Sequence, residues 1–169
     1  MKIYDTLTEE QVDNIKRIVD NFLQVDGPQR TVYHMEIGRD KYSIHHKVSR
    51  YVVTDPLNCH KILAVFRRFS DLLKWFTERR NEFERTKYEM KFAATVLMKK
   101  LKDAGFEPKH DEYYYNVGYH IQVNNRVSVN IFDENITVYS QMPSKSFYGF
   151  GFDSVSAAFK YVCKVHKEK

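Results

Sequence analysis

Apolar and polar residues alternate strictly over 112–123, near the carboxyl end of the chain. One parity holds Tyr113, Tyr115, Val117, Tyr119, Ile121 and Val123, and the other holds Tyr114, Asn116, His120 and Gln122. Successive side chains of a strand point to opposite faces, so this run predicts a half-buried β-strand. Three further strands are predicted at 127–131, 136–140 and 147–152, before a helix with the apolar stripe Val155, Ala158, Phe159 and Val162. We therefore expect 106–169 to form a four-stranded antiparallel meander closed by a helix.

The first third of the chain shows a helical period followed by an alternating one. Thr8 and Gln11 have the spacing of a capping box. After them, apolar residues recur at helical spacing as far as Asp26: Val12, Ile15, Ile18, Val19, Phe22 and Leu23. Alternation over 33–37 and 42–48 then predicts a β-hairpin, in which Gly38 pairs with Lys41 around a two-residue turn. We expect a helix plus this hairpin over 1–54.

A long helical pattern without glycine or proline follows Pro56 and extends to Ala104. Asp55 and Pro56 have the order of a helix N-cap and a first helical residue, and Gly105 has the place of a C-terminal cap. A straight helix of this length would measure about 75 Å, whereas a compact domain of this size is only ~40 Å across. We therefore expect two helices over 55–105, with a break within the charged run 77–87. The predicted fold class is α+β, as a single domain over 1–169.

Charge distinguishes the helical middle from the rest of the chain. The net charge is +5, from 27 Lys or Arg and 22 Asp or Glu. Between Lys61 and Lys102, twelve Lys or Arg stand against five Asp or Glu, so the excess is concentrated there. A localised positive surface attracts nucleic acid or an acidic protein face. The candidate binding residues of this segment are Arg67, Arg68, Arg79 and Arg80, and a solvated helix surface is the alternative.

The polar parity of the meander mixes aromatic and polar residues, as contact surfaces do. Aromatic rings can stack on bases, and Asn, Gln and Arg can contact base edges. Candidate binding residues here are Tyr114, His120, Arg126, Tyr139 and Tyr148. A phosphate-binding surface usually carries several cationic side chains, and these candidates include a single arginine. If the helices cover this face, the same aromatic residues belong to the core.

The hairpin carries the one constellation that could support catalysis. In the predicted register His34 faces His45 and Glu36 faces Ser43, with Lys47 on the same face. Two imidazoles beside a lysine could act as acid and base on a phosphodiester, which makes a metal-independent nuclease the alternative function. His34, Glu36 and His45 could equally approach a metal. An ordinary solvent-facing strand holds the same residue types, and we expect neither a catalytic nor a metal site.

Two resemblances bear on function. A helix, three strands and then Gly149 and Gly151 before a helix with Ala157 and Ala158 resemble the order of a double-stranded-RNA-binding domain. In that family a lysine pair opens the last helix and grips phosphates, but here Ser154 and Val155 occupy those places, and the chain is not assigned to it. The composition, rich in Lys, Asn, Tyr and Phe and poor in Gly, Ala and Pro, is similar to that of small accessory proteins of large tailed phages.

Several classes of protein are not indicated. Cys59 and Cys163 lie far apart, without the spacing of a metal site, and the chain has no phosphate-binding glycine loop or nucleophile elbow. The segment 1–5 lacks the pattern of a signal peptide, and no run of eighteen apolar residues predicts a membrane span. We therefore expect a cytoplasmic protein that needs no cofactor.

The expected function is binding without catalysis. The partner is a host or cellular protein in preference to nucleic acid, and the role is that of a phage-type accessory modulator. A third possibility is a structural or assembly protein that forms homo-oligomers by pairing the helical track from Ile62 to Leu101 with that of a second copy.

Overall fold

The computed structural model describes residues 5–27, 30–113, 118–133, 135–141 and 147–167. Helices and strands follow in the order α1 (Glu9–Lys16), β1 (Asn21–Gly27), β2 (Arg30–Ile37), β3 (Asp40–Lys47), β4 (Arg50–Asp55), β5 (Lys61–Phe66), α2 (Phe69–Asp103), β6 (Lys109–Tyr113), β7 (Gly118–Asn124), β8 (Val127–Ile131), β9 (Ile136–Gln141), β10 (Phe147–Phe152) and α3 (Val155–Lys167). The predicted α+β class is confirmed. The chain divides into two compact units, Met1–Glu84 and Arg85–Lys169.

The first unit is built on a five-stranded antiparallel sheet in the order β1-β2-β3-β4-β5. Its core lies on the face that carries Tyr33, Ile44 and Val53, each of which is almost completely buried. Ile15 of α1 and Phe76 of α2 complete this core. A sheet with one apolar face requires such a covering layer, because that face must be removed from water.

The second unit repeats this plan with a sheet in the order β10-β9-β8-β7-β6. Ile121, Val129 and Val138 line its buried face. Leu97 of α2 and Val162 of α3 pack in the same cluster. The predicted four-stranded meander and closing helix are thus present with a fifth strand added.

The N-terminal helix is shorter than predicted. It ends at Lys16 and not near Leu23, and β1 begins at Asn21. The capping box at Thr8 and Gln11 is confirmed. Ile15 and Val19 are both buried, so the apolar spacing continues through the turn after the helix. The apolar spacing that predicts a helix therefore runs through a turn and into a strand.

Asp55 and Pro56 do not open a helix, which corrects the prediction for 55–105. Asp55 ends β4, and its Oδ1 accepts the N–H of Leu57 at 2.9 Å, so it caps a turn. Residues 61–66 then form β5, and α2 begins only at Phe69. Ile62, Phe66 and Phe69 share helical spacing by coincidence, because short apolar runs fit either period.

The charged run 77–87 is continuous helix, and the predicted break is wrong. Ion pairs at helical spacing connect its turns. Arg80 Nη2 lies 2.6 Å from Glu84 Oε1, and Arg85 Nε lies 3.9 Å from Glu89 Oε1. Such i,i+4 pairs support a helix, which explains why a run of charges continues the helix here.

The alternating run 112–123 is not one strand, contrary to the prediction. Its ends belong to β6 and β7, which pair with each other so that Tyr113 lies opposite Gly118. Residues 114–117 lie outside the described part of the chain. Alternation alone does not reveal where the chain reverses direction, because β6 and β7 both have the strand period of two.

The hairpin register differs from the predicted one by two residues. Ile37 pairs with Asp40, so the turn consists of Gly38 and Arg39. Gly38 has φ +60°, which glycine adopts without a steric penalty. His34 consequently faces Ser43 and not His45. A shift of two keeps every side chain on its predicted face, because the side-chain period of a strand is two.

Candidate functional site

The first sheet has an outer face, opposite its core, on which two rows of side chains cross all five strands. Both rows follow from the strand register. The first row is Val25, Val32, His45, Val52 and Val65, and the second is Leu23, His34, Ser43, Thr54 and Ile62. We call these ten residues the outer face.

Exposed aliphatic side chains lie at both edges of the outer face. Leu23 on β1 is 60% exposed and Ile62 on β5 is 61% exposed, and Val25 and Val65 are about half exposed beside them. Scattered exposed apolar residues are ordinary, but an apolar set gathered on one face indicates a contact surface. The sequence pattern does not reveal this set, because Leu23 and Ile62 both fit a helical period.

The centre of the outer face is polar and internally hydrogen-bonded. His34 Nδ1 lies 2.6 Å from Ser43 Oγ, and His45 Nε2 lies 3.1 Å from Thr54 Oγ1. Both hydroxyl-bearing residues are buried. The ring of His60 is 6.1 Å from that of His45, centroid to centroid. The imidazoles are thus held in place by neighbouring strands.

Charged residues flank the outer face at both strand ends. Lys47 pairs with Arg50 at one end of the face. At the other end, Lys41 Nζ lies 3.3 Å from Glu36 Oε1. A face that combines aliphatic and hydrogen-bonded polar side chains inside a charged rim has a composition found in protein–protein interfaces.

The structure therefore places the four residues of the nuclease alternative on one face without forming the predicted pair. His34 and His45 are not opposite each other, Glu36 is engaged by Lys41, and Lys47 lies at the strand end. Each histidine contacts a hydroxyl group instead. Within the described residues, no group of three or more His, Cys, Asp or Glu side chains could hold a metal ion.

Two of the four predicted binding arginines are engaged by neighbouring side chains. Arg80 forms ion pairs with Asp20 and Glu84. Arg79 lies 3.3 Å from Glu82 and stacks 4.9 Å from the Trp75 ring centroid.

The other two arginines, Arg67 and Arg68, are exposed in the bend before α2, and in the described part of the chain they form no ion pair. Of the four predicted arginines, these two therefore offer the more accessible positive charge.

The predicted binding residues of the meander are distributed over two faces. His120 lies opposite the core, with Nδ1 2.7 Å from Asn130 Oδ1. Tyr139 shares that face, because it neighbours Ser128, which itself pairs with Gln122 beside His120. Tyr148 lies on the other face, since it pairs with the buried Ser140.

Arg126 and Tyr114 are the two remaining residues predicted for the meander. Arg126 is exposed in the turn between β7 and β8. Tyr114 lies outside the described residues. Of the predicted residues that the structure describes, His120 and Tyr139 therefore share one surface and Tyr148 lies on the opposite one.

A shallow cleft beside Tyr42 was not anticipated from the sequence. The Tyr42 ring meets Trp75 and Phe76 edge-on, with centroids 5.5 and 5.7 Å away. Its hydroxyl group donates to Asp40 Oδ2 at 3.4 Å. Burial, and then the charge of Asp40, raises the pKa of Tyr42 to about 12. The hydroxyl group therefore stays protonated at neutral pH and acts as a hydrogen-bond donor.

Among the helices in the described ranges, none has the length and apolarity required to cross a membrane. Comparison of the chain with protein-family models, with curated proteins and with solved structures gives no match. The proposal for function therefore rests on the surfaces of the chain itself.

Proposed function

We propose that this chain is a non-catalytic protein-binding protein whose contact surface is the outer face of the first sheet. The observation that carries the proposal is the exposure of Leu23, Val25, Ile62 and Val65 on one face with an ordered polar centre. Strands about 4.8 Å apart with a rise of about 3.4 Å per residue give these ten residues an area of roughly 330 Å². Because a standard interface covers ~800 Å² per partner, the contact would extend over the charged residues at the strand ends.

A protein partner fits this surface better than nucleic acid does. Neither row of the outer face contains a lysine or an arginine. Phosphate contacts by such residues supply most of the affinity of nucleic-acid binding. Arg79 and Arg80, which were predicted to supply them, are already engaged by acidic side chains.

The test is capture of partners by two matched variants. Leu23→Lys with Ile62→Lys places charges on both edges of the outer face, at positions exposed enough to leave the fold unchanged. Tyr88→Lys with Phe92→Lys is the control, because these aromatic residues are as exposed but lie on α2. We expect proteins retained by the wild type and the control to be lost from the outer-face variant, and nuclease treatment to leave them unchanged. Identical retention by both variants would contradict the proposal.

A nucleic-acid partner is tested separately. If binding required nucleic acid, it would be lost on nuclease treatment and would weaken steeply with salt. Arg67→Gln with Arg68→Gln would then reduce the salt dependence, because these two arginines are exposed. Retention of the captured proteins by this double variant is the result expected for a protein partner.

The other functions expected from the sequence stay predictions. The nuclease has less support, since its two histidines contact hydroxyl groups and do not face each other. Dimerisation through the helical track also has less support, because Phe76 and Leu97 are buried in the cores of their own units. Cytoplasmic location and a phage-type accessory role are likewise predictions.

A further inference from the structure

Edge strands expose unpaired backbone N–H and C=O groups, and proteins usually protect them with charges, prolines or bulges. The four edges in the described sheets are β1, β5, β6 and β10. β1 contains an aspartate, β5 contains a lysine and shares a bulge with β4, and β6 contains three charged residues. β10, with the sequence FYGFGF, contains neither charge nor proline, and it pairs with β9 without a bulge. Of these four edges, it alone lacks such protection.

One face of β10 forms an apolar shelf. Phe150 and Phe152 pack against Tyr161 of α3, with ring centroids 5.2 and 5.1 Å apart. Tyr148 and Phe150 are still nearly half exposed. Alternate side chains of a further strand beside β10 would cover these rings.

Gly149 and Gly151 lie on the other face of β10. A Cβ on Gly149 would lie 2.8 Å from Tyr139 Cε1, so the ring of Tyr139 covers that glycine from β9. Among the described residues, a Cβ on Gly151 would meet no atom within 4 Å. Space for a neighbouring side chain is therefore open at Gly151.

We propose that β10 accepts an extended segment of a partner protein as a sixth strand of the second sheet. β9 already pairs with β10, so the residues of β9 indicate which side chains a strand beside β10 requires. Ile136 and Val138 of β9 lie on the buried face, and Tyr139 lies on the glycine face. The partner segment is accordingly uncharged, with aliphatic residues toward the shelf and a bulky residue over Gly151.

A second copy of β10 fits this edge less well. In the antiparallel pairing that sets Phe150 opposite Phe150 of the second copy, Gly149 lies beside Gly151, because paired residues of neighbouring strands share a face. The space at Gly151 would stay empty, and backbone would stay exposed there. A partner segment without glycine has a side chain at each position and would cover both faces of β10 at this edge.

The test uses a labelled peptide with the sequence of residues 135–141, NITVYSQ, and the full chain. We expect saturable binding in fluorescence anisotropy and at least tenfold slower hydrogen exchange of the amides of β10. Phe150→Lys should weaken binding at least tenfold, and a peptide with proline in place of Val138 should not bind, because it lacks a ladder donor. Leu63→Lys, at a similarly exposed position on the β5 edge, is the matched control and should bind as the wild type does.

Three results would overturn the proposal. The first is no binding of the peptide to the wild-type chain, and the second is equal binding to the wild type and to Phe150→Lys. The third is a dimer of the peptide-free protein that Phe150→Lys dissociates in sedimentation, since the occupant would then be a second copy. Tyr148→Lys, at an equally exposed position, replaces Phe150→Lys if circular dichroism shows that the latter does not fold.

Discussion

The carboxylate of Asp20 accepts the backbone N–H of Gly38 at 2.7 Å through Oδ2. Its other oxygen accepts from Arg80 of α2. Asp20 therefore connects the turn of the β2–β3 hairpin to the helix that covers the sheet. Removing this carboxylate would leave both donors without their acceptor. It should therefore contribute more to stability than an ordinary surface carboxylate does.

We expect Asp20→Ala to lower the free energy of unfolding by about 1.5–3 kcal/mol, the range for a hydrogen bond to a charged group. Asp13→Ala is the control. Asp13 lies 3.8 Å from Lys16 on an exposed helix surface, and such pairs contribute about 0–1 kcal/mol. Urea denaturation of both variants measures the difference. Equal effects would show that the contacts of Asp20 do not stabilise the unit.

Gly38 and Gly105 form a matched pair for a glycine-to-alanine test. Both have positive φ, +60° and +84°. A Cβ on Gly38 would collide with the ring of Phe83, whereas one on Gly105 would meet no atom within 4 Å. We expect Gly105→Ala to cost about 1 kcal/mol from backbone strain alone, and Gly38→Ala to cost at least about 1 kcal/mol more.

The clash at Gly38 can be separated from the strain. In a Phe83→Ala background the extra cost of Gly38→Ala should disappear, because the ring that the new Cβ meets is absent. An unchanged cost in that background would assign the whole effect to the backbone.

The raised pKa of Tyr42 predicts a loss of stability at alkaline pH. Its pKa is raised from 10.0 to about 12 in the folded protein, so the unfolded chain ionises first as pH increases. The stabilisation is complete below pH 10 and is lost as pH rises toward 12, and it amounts to about 2–3 kcal/mol for a shift of this size. Urea denaturation of the wild type and of Tyr42→Phe between pH 8 and 11 measures it. The difference between the two proteins should change with pH only above pH 9, and a constant difference would contradict the shift.

Two residues on α2 test the core of the second unit. Leu97 is completely buried, whereas Phe92 is 62% exposed. We expect Leu97→Ala to destabilise by about 2–5 kcal/mol and Phe92→Ala by less than about 0.5 kcal/mol. Thermal denaturation of both variants compares them. A similar loss in both would mean that Phe92 is covered in solution.

The periodic pattern predicted element types best where tertiary contacts agree with it. In β8 and β9 the alternation of Val127, Val129, Ile136 and Val138 matches their burial. In α3, Ala158 and Val162 are buried as their spacing indicates. Local period and packing reinforce each other in these elements.

The pattern failed where a turn interrupts an apolar run without changing its spacing. Val19 is buried like a helical residue although the helix ends at Lys16. Ile62 continues the helical track and lies in a strand. For the same reason the outer face could not be predicted: it requires the pairing of five strands, and pairing depends on register and not on the residues of any one strand.

Both sheets are strict meanders, in which each strand pairs only with its neighbours in sequence. Contacts are consequently close along the chain, a property that correlates with rapid folding. During synthesis each new strand would find its partner already made, and the first sheet needs nothing beyond residue 66 for its hydrogen-bonded ladders. Because β9 precedes β10 in the chain, β10 pairs on one side as soon as it is made, and its open edge is the side that stays available afterwards.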